Sequence, residues 1–71
     1  MTRTEEFEIT FRGTAGPLIT GAFEEYRLTS SRGNTTMSGP LRDQADLQGI
    51  LERIFRLGLE VVDVHVFPSR R

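Results

Sequence analysis

Seventy-one residues make one small domain, and a chain of this size hides only about 60% of the surface its unfolded form exposes. Nine basic and ten acidic residues leave a net charge of −1 and are interspersed, so there is no electrostatic footprint for nucleic acid or an anionic membrane. With no cysteine and one histidine, disulfides and thiolate metal sites are excluded and no metal or cofactor is expected. Self-association is the remaining staple for so small a core, and a homodimer is the expectation. The start, Met1 to Glu6, lacks the apolar core of a signal peptide, and no apolar run approaches membrane-spanning length. A cytoplasmic protein is the default. Residues 1–4 and 68–71 read as flexible tails, the basic pair Arg70-Arg71 among them.

The first element is a strand, with Phe7, Ile9 and Phe11 alternating against Glu6, Glu8, Thr10 and Arg12. Gly13 and Gly16-Pro17 end it. Pro17 suits the first turn of a short helix with Leu18, Ile19 and Ala22 toward the core, while Thr20-Gly21 is poor helix material. Residues 17–22 are therefore a single turn or a structured loop. Glu24 to Ser30 reads as a second strand with Tyr26 and Leu28 on one face. Ser31-Arg32-Gly33-Asn34 has turn chemistry, and Asn34 to Ser38 returns as a threonine-rich strand with Met37 inward.

Gly39-Pro40 breaks the chain, and Asp43 caps an amphipathic helix running to Leu57. Leu47, Ile50, Leu51, Ile54 and Leu57 form its apolar stripe, and Gly58 followed by Leu59 has the form of a left-handed stop. A last strand ends before Pro68, with Val62, Val64 and Val66 on one face and Val61, Asp63, His65 and Phe67 on the other. The order β, short α, β, β, α, β is ferredoxin-like, with a plain β-β-β-α-β sandwich lacking the first helix as the alternative. It predicts an α+β domain: a four-stranded antiparallel sheet with one long helix on one face, the first and third strands central and the fourth beside the first. The predicted core is Phe7, Ile9, Phe11, Leu28, Leu47, Ile50, Leu51, Ile54, Leu57, Val62, Val64 and Val66.

The run from Gly39 through Asp43-Gln44-Ala45, Leu47, Gly49, Leu51, Arg53-Ile54 and Leu57-Gly58-Leu59 resembles a family of small uncharacterised bacterial proteins. They share a GPxxDQAxLxGxLxRIxxLGL pattern after a strand-rich first half. The resemblance covers about the last half of the chain, implies the same layout, and carries over no catalytic or binding residue.

Four features are candidates for function, each with a bland rival. Gly49 lies near Ala45, Arg53 and Arg56, away from the apolar stripe. An exposed glycine there costs roughly 1 kcal/mol against alanine, which close approach of a partner helix would explain and a tolerated imperfection explains more simply. His65 and Asp63 share a strand face, and a carboxylate beside an imidazole can serve as acid and base. No nucleophile accompanies them, so a solvated face is the preferred reading. The open sheet face collects Glu8, Thr10, Arg12, Glu25, Arg27, Thr29, Asp63, His65 and Phe67, a wet surface or a polar interface and a poor apolar pocket. The helix start is no anion site, because Asp43 and Asp46 already fill its field.

The leading expectation is a non-enzymatic interaction or regulatory module that self-associates and partners another protein. A small-ligand sensor resembling the ACT type is a variant resting on fold analogy. The rival is a very small enzyme resembling the dimeric α+β-barrel monooxygenases and cyclases, using His65 and Asp63. A nucleic-acid-binding sheet is a distant third, since Phe7 and Phe11 read as core and not as stacking platforms.

Overall fold

The computed structural model describes residues 5–69, and the tails expected at 1–4 and at Arg70-Arg71 lie outside the described residues. Six elements follow in order: β1 (Glu5–Arg12), α1 (Pro17–Ala22), β2 (Arg27–Ser31), β3 (Asn34–Leu41), α2 (Gln44–Arg56) and β4 (Val61–Pro68). The strands form one antiparallel sheet in the order β2-β3-β1-β4, with β3 and β1 central and β4 beside β1.

The α2 boundaries come from its caps. The Asp43 carboxylate accepts the Asp46 amide at 2.9 Å, and Gly58 takes φ +77 past the Leu57 cap. The Gly58 N–H then donates to the Phe55 carbonyl and the Leu59 N–H to the Ile54 carbonyl, a Schellman end. The β2–β3 hairpin turns on Arg32 and Gly33, both at positive φ (55 and 80), which matches the twist of the flanking strands.

β3 runs through Gly39-Pro40 to Leu41, and the expected break there is corrected. Its register explains why. The last β2 residue to pair is Arg27, opposite Ser38, so beyond Ser38 the strand has only β1 as a neighbour. Proline, lacking an N–H, is tolerated where one side of a strand is open. Gly39 has its own reason: a Cβ there would stand 2.8 Å from Tyr26 Cδ1. The Tyr26 ring fills that space and meets Phe7 edge-on at 5.2 Å.

The core holds Phe7, Ile9, Phe11, Phe23, Met37, Leu41, Ile50 and Ile54, each at most 2% exposed. Leu28, Leu47 and Leu51 are partly buried against it. Thr35 is the buried polar residue; its hydroxyl donates to the Gly13 carbonyl at 2.7 Å and lies 3.0 Å from Ser30 Oγ. Residues 17–22 form the six-residue helix α1. Ile19 and Ala22 pack inward, while Leu18, expected to face the core, is 75% exposed.

Four further core assignments are corrected. Leu57, at the end of α2, is 36% exposed, and Val62, Val64 and Val66 are 48, 39 and 42% exposed. Val64 and Val66 do lie on the helix side, opposite Ile9 and Phe7. What is missing is cover. A helix is about 10–12 Å across with its side chains, while four strands spaced about 4.8 Å apart span roughly 14 Å between outer axes. α2 seals β1 and β3, the short α1 adds little, and the edge strand stays bare. A β-bulge between Thr10 and Phe11 further leaves Val62 without a partner in β1. β4 also continues through Pro68, beyond its expected end.

Candidate functional site

Three surfaces carry the candidate residues. The first is the sheet face away from the helices. The register aligns Arg27, Ser38, Glu8 and His65 in one row across the four strands, and Thr29, Thr36, Thr10 and Asp63 in the next. Thr10 and Thr36 hydroxyls meet at 3.0 Å, His65 Nε2 lies 2.9 Å from Asp63 Oδ2, and Arg12 Nε lies 3.2 Å from Glu60. Arg12 and Phe67 lie on the same face at its two ends. A shallow hollow of about 430 Å³ opens here, lined by Glu6, Glu8, Glu25, Arg27, Ser38, Pro40 and Phe67 among others. Its lining is mainly polar and carries more carboxylate than cation, so a bound anion would meet repulsion. Among the described residues no group of three or more His, Cys, Asp or Glu is placed to hold a metal ion. The His65 and Asp63 side chains are 65 and 54% exposed, open to water on the outer side.

The second surface is the outside of α2, where Ala45, Gly49, Arg53 and Arg56 were grouped by sequence. The structure divides them. Arg53 folds back: one guanidinium nitrogen donates to Glu25 Oε2 at 2.9 Å, another donates to the Ala22 carbonyl, and the group lies 4.8 Å over the Phe23 ring. The Arg53 hydrogen bond holds the Glu25 carboxyl below the ordinary carboxylate range, and the same bond raises Arg53. Burial, with the Glu25 charge nearby, pushes the Tyr26 phenol up. Arg53 is thus a strap between α2 and the α1–β2 connection. Ala45 and Arg56 are exposed, and a Cβ on Gly49 would meet nothing within 4 Å. At the helix start, Asp43 and Asp46 accept the Asp46 and Arg42 amides, so both carboxylates are engaged.

The third surface was not singled out by sequence. It is the bare helix-side face of β4, with Val62, Val64 and Val66, beside one flank of α2. Helical geometry places Leu51 roughly 160° around α2 from Arg53, with Leu47 and Phe55 on the same side as Leu51. Because Arg53 holds its flank against Glu25 and Ala22, on the β2 side, the Leu47–Leu51–Phe55 flank turns toward the β4 side. Phe55 is 59% exposed. A sequence signal for this face existed in the valine alternation; what it lacked was knowledge that a single long helix would leave the fourth strand uncovered.

No helix among the described residues is long and apolar enough to cross a membrane. No curated protein and no solved structure gives a significant match to the chain. A family model described as a domain of unknown function (DUF8691) matches residues 6–65, from β1 into β4, and the chain belongs to that uncharacterised family.

Proposed function

We propose that this chain is a small, non-enzymatic, cytoplasmic interaction module of ferredoxin-like topology that acts by self-association. The observation that carries the reading is the bare valine face of β4, 39–48% exposed on the side of the sheet where the inward residues of β1 and β3 are almost completely buried. A contiguous apolar face on so small a domain is the kind of surface that meets another protein. The sheet order, with β1 and β3 central and β4 beside β1, supports the ferredoxin-like assignment. The exposure of the His65–Asp63 pair among hydroxyls and carboxylates favours a solvated surface pair over an acid–base site, which needs a bound substrate within hydrogen-bond reach.

Light scattering across a dilution series tests the proposal. A mass of twice 8.0 kDa that falls toward 8.0 kDa on dilution is expected. A mass of one chain at every concentration would sink it.

A further inference from the structure

Resting on the self-association reading above, we propose that two copies join edge to edge through β4, antiparallel about a two-fold axis at Val64, making one continuous eight-stranded sheet. The sheet has two edges. β2 is five residues long and polar, whereas β4 is eight residues long and carries the bare valines. Natural edges are usually blunted by inward charges, lysine or proline. β4 has its bulge at Val62 and its proline at the last position, and its ionisable groups, Asp63 and His65, both lie on the polar face.

Self-complementarity selects the register. Directly opposed residues in an antiparallel pair point to the same face, so the axis must pass through a residue position. With the axis at Val64, Val64 meets Val64 and Val62 meets Val66 on the helix side. On the polar side Asp63 of each copy meets His65 of the other. Moving the axis one residue one way sets Asp63 against Asp63, like charges directly opposed and unfavourable, and moving it the other way sets His65 against His65 and leaves each imidazole without the partner's carboxylate opposite it. Only the Val64 axis crosses the acid with the imidazole twice. Glu8, opposite His65 on β1, adds a further carboxylate beside each imidazole.

In each copy the Leu47–Leu51–Phe55 flank of α2 turns toward the β4 side, so the two flanks face each other across the paired strands, and the valine rows of the two copies cover each other along the seam.

The absence of cysteine makes the test direct. A two-fold at Val64 brings the two copies of that residue to a Cα separation of about 4.5–5.5 Å, within disulfide range. The two copies of Val62 would stand four residues apart along the strand, about 13 Å. Under mild oxidation Val64→Cys should form a covalent dimer at least tenfold faster than Val62→Cys. Val64→Arg should be a folded monomer by circular dichroism and light scattering, since residue 64 is partly exposed in the single chain. If the wild type is a dimer but Val64→Cys crosslinks no faster than Val62→Cys, or Val64→Arg keeps the dimer mass, the β4 pairing is overturned while self-association stands. A wild type of one-chain mass at all concentrations overturns both.

Discussion

Gly39→Ala adds one methyl group where the Tyr26 ring already lies. The new Cβ would stand 2.8 Å from Cδ1, 3.4 Å from Cε1 and 3.5 Å from Phe7 Cε1. The clash falls on the body of the ring, and the ring is confined by Phe7 at 5.2 Å and by the Arg53 guanidinium at 6.0 Å. Overpacking of this kind costs about 1–3 kcal/mol. Reduced freedom of the unfolded chain returns about 0.4–1 kcal/mol, so the net loss should lie between about 0 and 2.6 kcal/mol, centred at roughly 1.3. In a domain this size each kcal/mol moves the thermal midpoint by roughly 4–8 °C. Urea denaturation reads the loss, and Tyr26, the only tyrosine in a chain without tryptophan, reports its own displacement by fluorescence. Gly49→Ala is the matched control. It adds the same methyl to a helix position with open space, and should raise stability by about 0.5–1 kcal/mol. If Gly39→Ala matches or exceeds wild type in stability with unchanged tyrosine emission, the account of β3 given above is wrong.

Arg53→Ala should lose about 1–2 kcal/mol in urea, from the bonds to Glu25 and Ala22 and the stacking on Phe23, and Arg53→Lys should not restore it; full rescue by lysine would mean that only the charge matters. Ile54→Ala, at a fully buried position, should cost about 2–5 kcal/mol. Leu57→Ala, 36% exposed, should cost only about 1 kcal/mol, and equal losses would refute the observed helix face. Two pH limbs follow from the Arg53 cluster. Tyr26 is raised above its ordinary 10.0, so its contribution is present below that pH and lost as pH rises through the folded value. Glu25 is lowered below its ordinary 4.5, so its contribution is present above that pH and lost as pH falls through the folded value. Tyr26→Phe should flatten the alkaline limb of stability against pH and Glu25→Gln the acid limb; limbs identical to wild type would discount the cluster.

The elements whose signals are local were legible in the sequence. β1 follows from Phe7, Ile9 and Phe11, the hairpin from Ser31-Arg32-Gly33-Asn34, and α2 from Asp43, the 3.6-residue stripe and Gly58. Gly39-Pro40 misled because whether a proline breaks a strand depends on which neighbour that strand has, and β2 stops short of it. The β4 valines misled for a related reason: alternation tells which way a side chain points, not whether anything lies above it. Arg53 read as a surface cation because its partners, Glu25 and Ala22, sit 28 and 31 residues away. Phe23 and Leu41, both in the core, lie outside the periodic runs, one just after α1 and the other at the end of β3. The polar sheet face could be assembled from alternation alone, but its shallow hollow is also lined by Glu25, which precedes β2 and belongs to no strand.

β1, first of the described strands, lies between β3 and β4, so Phe7 pairs with Gly39 on one side and Val66 on the other. Among the described strands, the hairpin of β2 and β3 is the one pair joined by a short turn. At about 5–20 residues per second, roughly 3–11 s pass between synthesis of Phe11 and Phe67. Throughout that interval Phe7, Ile9 and Phe11 lack the last strand, and pairings this distant form slowly even once the chain is free. The nascent chain therefore leaves its most deeply buried strand residues unsealed during synthesis, and its yield in the cell should depend on how well Phe7, Ile9 and Phe11 are kept from other chains until β4 arrives.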